Sequence, residues 1–534
     1  MNQSTLLDRT PSSLTRSTRP SDVTPWLTFG LITALVVAGF SSILRPAAQG
    51  ADTPLADFSA ARANTHIERI AVEPHPMGSP ALRTVESYIT EQLVGMSLEP
   101  DIQPAVVPDY FGLPGQTTTV RNIVAVIPGI DSSGSIALAA HYDTNPDTPG
   151  ANDNSVGVAV LLEVARATLA GTRPANDILL LFTDGEEPQP RFGAMAFAEF
   201  DPAFADVGLV VNLEAIGSSG PSMLAESSRP ETGIVDRYRS TSADPAAFSF
   251  LTETVDLFGG VGTDFDVFKD GSVPGLSFAY LRGSSIYHTD RDVPDSVSMN
   301  SVQHHGDNVM AVLRAFGDDE LPLEARAADV VFFALTPWVT AGYSSTVADV
   351  LAIVAVCAFC ALVWRRLRSK RDSVAGVARG SLVVFAGSMA AALVVFIVWW
   401  AFTAVRSTPG VWESYLYLAL LCVAAAAAFS FVGGALAGRF ADAELATGIV
   451  AVWVVLGAVT TVVLPGFSYL FIWPALGALM ALAWSSSRRP TGRLWVLVAA
   501  PAVVLTIPAL DVFFQMAQPR PGNPDSDLTA TVTL

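Results

Sequence analysis

IALAAHYD (136–143) and ILLLFTDGEE (178–187) are two apolar runs that each open, within a residue or two, into titratable side chains. Short apolar runs bounded by polar residues read as strands buried on both faces, the kind that build parallel sheets. A third run, Val207 to Leu213, ends in the same way at Glu214, and Asn122 to Ile127 and Gly275 to Tyr280 have the same character. Between them, Ser155 to Leu169 has helical spacing and follows Asn152, Asp153 and Asn154, residue types suited to capping. This alternation predicts an α/β domain of three layers around a mostly parallel central sheet. His141, Asp143, Glu186, Glu187 and Glu214 then fall at the carboxyl ends of successive strands. In open α/β sheets that edge is where ligands bind.

Outward from these strands the chain divides by composition. Residues 50–325 hold 39 Asp plus Glu against 14 Lys plus Arg, a formal charge of 14 − 39 = −25, whereas the whole chain of 534 residues carries −19. That sign excludes nucleic acid as a partner, because phosphate binding calls for a basic surface. The three cysteines, Cys357, Cys360 and Cys422, lie outside this acidic stretch, so it has neither a disulfide framework nor a thiolate metal site. A metal bound there must rest on His and carboxylates.

The remainder is apolar and nearly free of charge, and windows of about 20 such residues can cross a bilayer. The first, within 26–45, follows a lead (1–25) containing Arg9, Arg16 and Arg19 and reads as a transmembrane signal anchor; cleavage near Ala47 and Ala48 is the competing reading. Six further spans are expected over 346–513, at 346–364, 381–404, 414–437, 446–464, 466–484 and 494–513, forming an α-helical transmembrane bundle. The loops on one side carry Arg365, Arg366, Arg368, Lys370, Arg371 and Arg379, then Arg439, then Arg488, Arg489 and Arg493. The positive-inside rule makes that side cytoplasmic, together with the lead. Residues 50–325 and the polar tail, 514–534, which reads as disordered, then fall outside the cytoplasm. The chain is therefore expected to be a multi-pass integral membrane protein with the lipid bilayer as a partner and a possible homo-oligomer through the spans. Ala-, Val- and Gly-rich spans favour a bacterial cell membrane; a vacuolar or endoplasmic reticulum membrane with a lumenal domain is the alternative.

A pair of divalent ions needs imidazoles, a carboxylate shared between the metals, a further carboxylate on each, and an uncoordinated base. His141 and His288 are the candidate imidazoles, Asp153 the shared carboxylate, and Glu187 and Glu214 the remaining ligands. Glu186 is left as the base, and Asp143 is placed to accept the second N–H of His141. Taken singly, each has a plain structural reading: a histidine beside a strand, a helix cap, a solvated acidic turn, a carboxylate paired with arginine. What the plain readings do not account for is the whole set at successive strand ends. Spacing alone does not separate His288 from His304 and His305, which lie in a helix-like run and read as surface residues.

HYDT (141–144), PGANDNSVGVAVLLEVAR (149–166), LLLFTDGEE (179–187), VVNLEAIGSSG (210–220) and IYHTDRDVPD (286–295) together resemble the successive signatures of the M28 family of zinc peptidases. The resemblance covers roughly 120–315, and the layout of one anchor before and several spans after is similar to its endoplasmic reticulum metallopeptidase and vacuolar membrane protease branch. It implies two zinc ions per chain, with His141 and Glu214 as terminal ligands of one, Glu187 and His288 of the other, and Asp153 as the bridge. It implies Glu186 as the proton shuttle and a cis peptide bond between Asp153 and Asn154. Two departures stand out. Many soluble relatives have Asp where this chain has Glu214, and their Ser-Asp-His segment is Thr263-Asp264-Phe265 here, so a substrate-contacting histidine is missing and Tyr280 or Tyr287 is the candidate donor in its place.

The expected function is hydrolysis of peptide or protein substrates on the extracytoplasmic or lumenal side, as an aminopeptidase, with carboxypeptidases sharing the same metal set. The rival within the fold is a glutaminyl-cyclase-like enzyme using one zinc. The rival outside it is a transporter or membrane scaffold carrying an inactive hydrolase domain.

Overall fold

A computed structural model describes residues 46–108, 117–187, 191–229, 232–257, 262–324, 330–336, 338–405, 411–437, 442–484 and 492–516, with scattered positions between 30 and 37. The expected signal anchor at 26–45 lies almost wholly outside the described residues, as do the lead and nearly all of the tail.

Two amphipathic helices open the described chain. Helices α1 (Ala60–Ile70) and α2 (Pro80–Gly95) are started by Ser59 and Ser79, whose hydroxyls accept the amides of Arg62 and Leu82. There follow β1 (Asp101–Pro108), β2 (Thr117–Ile127), β3 (Ser135–His141), α3 (Gly157–Ala170), β4 (Asp177–Thr183), α4 (Phe192–Phe200), β5 (Val207–Ala215) and β6 (Met223–Ser228). The domain continues through α5 (Ile234–Thr241), α6 (Ser249–Leu257), α7 (Phe265–Asp270), β7 (Gly275–Tyr280) and α8 (Met299–Phe316).

The seven strands form one sheet in the order β1-β2-β4-β3-β5-β7-β6. The inner four, β4, β3, β5 and β7, are parallel, as their unbroken apolar character requires. The run at Asn122–Ile127, expected among the parallel strands, is instead antiparallel to both β1 and β4. An apolar run reports burial, and burial does not record the direction of the neighbour. Side chains from α1, α2, α3, α5 and α8 fill one face of the sheet, while Ala194 and Phe197 of α4 with Phe265 and Phe268 of α7 fill the other. Three layers result, with β3 at the centre; the chain leaves β3 for β4 on one side and then crosses from β4 to β5 on the other. That divergence opens a crevice above the carboxyl ends of the parallel strands.

Beyond this domain a hairpin, β8 (Val331–Thr336) with β9 (Val339–Tyr343), leads among the described residues into six helices: α9 (Ser345–Arg368), α10 (Val374–Val405), α11 (Val411–Ala437), α12 (Asp442–Val463), α13 (Tyr469–Trp484) and α14 (Gly492–Met516). They occupy the six stretches expected as spans. Among the described residues three, Ser345–Arg368, Val374–Ala401 and Glu444–Val463, have the length and composition to cross a membrane; Leu416–Phe431, Tyr469–Ala483 and Val504–Met516 are shorter apolar helices.

Candidate metal centre

Strand β3 delivers His141 in register with Thr183 at the end of β4, so the segments that follow each strand meet over the sheet edge. The Nδ1–H of His141 donates to the carbonyl oxygen of Asp143 at 3.1 Å, which turns the Nε2 lone pair towards Asp153 and Glu214. The Asp143 carboxylate lies beside the same nitrogen, with Oδ1 3.7 Å away. That Oδ1 also accepts the amide of Glu186 at 3.1 Å, and Oδ2 accepts that of Glu187 at 3.0 Å. One buried aspartate thus holds the backbone of both glutamates after the chain turns at Gly185, whose φ of 76° lies in the left-handed region.

Asp153 sits in a turn of π-helical hydrogen bonding, Ala151–Val156, ahead of α3, and its peptide bond to Asn154 is cis, as the resemblance implied. Its two carboxylate oxygens face different partners: Oδ1 lies 3.2 Å from His141 Nε2, and Oδ2 lies 3.2 Å from His288 Nε2. Glu214 Oε2 is 3.6 Å from His141 Nε2, and Glu187 Oε1 is 2.5 Å from His288 Nε2. Two triads are therefore assembled, His141–Asp153–Glu214 and Glu187–Asp153–His288, with Asp153 common to both and the ligand atoms of each within 4.8 Å of one another. All five residues are buried, as is Glu186.

These residues fit a pair of zinc ions. A tetrahedral zinc with ligands at about 2.0–2.1 Å has neighbouring ligand atoms roughly 3.3 Å apart. The separations of 3.2 and 3.6 Å in the first triad match, and the second is drawn in by the contact between His288 and Glu187. His141 Nε2, Asp153 Oδ2 and Glu187 Oε2 are buried with no hydrogen-bond partner in the protein, so the donor set is unspent. Electrostatics points the same way. Burial raises Glu186 well above the carboxylate range, with Glu187 and Glu214 adding to it, and burial with Asp153 close by pushes Glu187 up to about 7. Burial disfavours a protonated His288, yet hydrogen bonds to Asp153 and Glu187 take it up to about 10. The cavity is a place where positive charge is strongly favoured.

Residues around the ligands include several whose roles the sequence left open. Asp292 holds the bridging turn: its Oδ1 accepts the backbone and side-chain N–H of Asn152 at 2.9 and 2.7 Å, and Oδ2 accepts the amide of Asp153 at 3.1 Å. It stands in the quoted segment IYHTDRDVPD, four residues after His288, and that spacing was the available signal. Tyr280 is not a substrate donor; its ring is fully buried and its hydroxyl donates to Asn152 Oδ1 at 2.8 Å. Tyr287 is half-buried and stacks on His288 with centroids 3.7 Å apart, so of the two tyrosines it alone borders the centre's rim.

His304 and His305 are corrected from surface to core. His305 is fully buried, and its Nε2–H donates to the carbonyl of Glu214 at 3.1 Å; His304 takes the amide of Ser222 on Nδ1. Both stiffen the chain behind Glu214. Asp264, in the altered Thr-Asp-Phe segment, is buried and accepts the hydroxyl of Thr183, while Phe265 fills the core against α4.

Residues 122–313 match the model of peptidase family M28. The chain carries an M28 peptidase domain. Over 392 residues, 68% of this chain and 43% of the relative, it is 26% identical to endoplasmic reticulum metallopeptidase 1 of Rattus norvegicus. It is 30% identical over 245 residues to the vacuolar membrane protease of Candida albicans, covering 46% of this chain and 29% of that protein. The chain thus spans less than half the length of these relatives. Among solved structures, the zinc aminopeptidase of Bacillus subtilis is 16% identical, with a TM-score of 0.42 over 50% of this chain and 98% of that one. The M28 domain is followed here by long apolar helices, and of the two curated relatives one is named for the endoplasmic reticulum and the other for the vacuolar membrane.

Proposed function

We propose that the chain is a membrane-held zinc peptidase that uses two ions per chain and removes residues from the amino terminus of peptides on the extracytoplasmic or lumenal side. The observation that carries this is the pair of buried triads sharing Asp153, with Glu186 beside them and outside the ligand set. A complete second triad supports the two-metal reading over a cyclase-like use of one ion. Zinc bound there supplies Lewis-acid activation of the attacking water and of the scissile carbonyl. Glu186 takes the proton from that water and passes it to the departing amine. Asp143 keeps Glu186 and Glu187 in place through their amides. The charge of the acidic domain favours a substrate bearing a free α-ammonium.

Sidedness is supported by α9, which begins beside the peptidase domain and ends about 36 Å away, at the usual rise per residue, in Arg365, Arg366 and Arg368. The relatives' names refer to endoplasmic reticulum and vacuole, so a bacterial membrane rests on span composition alone, as does a homo-oligomer through the spans.

The test uses the full chain in lipid nanodiscs. Elemental analysis should find two zinc ions per chain, and aminoacyl reporters should be hydrolysed while amino-blocked ones are spared, with Glu186→Ala inactive and still zinc-loaded. Zinc without Glu186-dependent hydrolysis would overturn the proposal.

A further inference from the structure

The membrane helices touch the peptidase domain at a place that matters for the metal centre. Two segments leave the sheet edge there: 215–220, directly after Glu214, and 281–287, leading to His288. They are laced together by backbone hydrogen bonds. The amides of Ser218 and Ser219 donate to the carbonyl of Arg282 at 2.8 and 3.0 Å, the amide of Arg282 donates to Ser219, and that of Ile216 to Tyr280. The approach is close enough that a Cβ on Gly217 would lie 2.4 Å from the Arg282 carbonyl oxygen. One ligand of each triad is thus borne by a common two-segment unit with Arg282 inside it.

The side chain of Arg282 leaves this unit and enters the membrane bundle. Its Nε and Nη2 donate to Oδ2 of Asp511 on α14 at 3.2 and 2.8 Å. Arg282 is 8% exposed and Asp511 4%, so this is a buried ion pair between two residues 229 apart in sequence. Apolar contacts surround it: Ile216, Leu281, Phe248 and Phe250 of the domain share one cluster with Leu505 and Val512 of α14. The hydroxyl of Ser249 donates to the carbonyl of Gly466, just before α13, at 2.8 Å. An ionisable residue near the end of an apolar helix is retained against its desolvation cost only with a partner. Here the partner sits six residues before a candidate metal ligand.

We propose that Arg282 and Asp511 are positioning residues, through which α14 holds the Glu214 and His288 segments in the register that lets both triads close on Asp153. The bundle is then a structural part of the peptidase centre as well as an anchor. The proposal rests on the two-metal reading for its catalytic consequence, and its structural half stands without it.

The experiment compares full-length wild type, Arg282→Ala, Asp511→Ala and the reciprocal exchange Arg282→Asp/Asp511→Arg, each in nanodiscs. Hydrogen exchange of 215–220 and 281–288 should rise at least about tenfold in each single variant, since unpairing a buried charge opens its surroundings. Exchange in β3 and β4 should stay unchanged. Zinc should be lost to a chelator at least about tenfold faster, and the exchange variant should recover both properties in large part. Unchanged loop exchange in both single variants would overturn the proposal, and so would loss of protection throughout the sheet without recovery in the exchange variant. If wild type bound no zinc and cleaved nothing, the two-metal reading would fall, while loop exchange would still decide whether α14 holds these segments.

Discussion

The strand-end centre and the far end of the helical bundle both bury charged groups, and they treat them in opposite ways. Near the basic end of the bundle, Arg366 donates from Nε and Nη2 to the two oxygens of Asp372 at 2.7 and 3.0 Å, and Thr447 donates to the same carboxylate at 2.8 Å. That arginine and carboxylate satisfy each other, and the cluster ties the α9–α10 turn to α12. At the strand ends, five potential ligands and a base converge, several of their atoms unpartnered. A buried charge matched within the protein is architecture, whereas one left facing like charges is poised for something the protein must bind.

This contrast can be broken most decisively by removing metal. Dialysis of the full chain against a strong chelator should abolish aminoacyl reporter hydrolysis, and added zinc should restore it; activity persisting in metal-free protein would erase the distinction between the two regions. Glu186→Ala should lower kcat by about 10²–10⁴, the usual worth of a positioned proton-transfer group, with zinc content unchanged. Asp292→Ala removes the clamp on the Asp153 turn and should cost roughly 10–100-fold in zinc affinity, the scale of residues that orient metal ligands, as read by chelator competition. At the opposite pole, Asp372→Ala leaves Arg366 buried without its partner and should destabilise the bundle by about 3–5 kcal/mol. Its kcat/KM for the folded protein should stay within about twofold of wild type, and a large loss there would mean that the far end of the bundle takes part in the chemistry.

How much of this was legible in the sequence varies residue by residue. The apolar runs ending at His141, Thr183 and Leu213 located the sheet edge, because strands buried on both faces must be continuous in apolar residues and their carboxyl ends face the crevice. Tyr280 and the histidine pair went the other way. A tyrosine beside a site and two adjacent histidines on a helix look available for contact, yet Tyr280 and His305 are fully enclosed, since α8 lies against the site and its polar face is spent on Ser222 and Glu214. The position of Asp143 was legible and its bonding was not, because only the turn after β4 brings the amides of Glu186 and Glu187 to its carboxylate.

The sequence by itself determined the layering of the M28 domain, the ligand candidates at the strand ends and the apolar helices after it, because these follow from periodicity, residue chemistry and local spacing; His288 was singled out from His304 and His305 only by the resemblance of its segment to the family. The tertiary structure alone decided the antiparallel setting of β2, the burial of His304 and His305, the clamp from Asp292 and the junction of Arg282 with Asp511. Each of these joins residues far apart along the chain. Their meeting is fixed by the packing of whole elements, which no local pattern records.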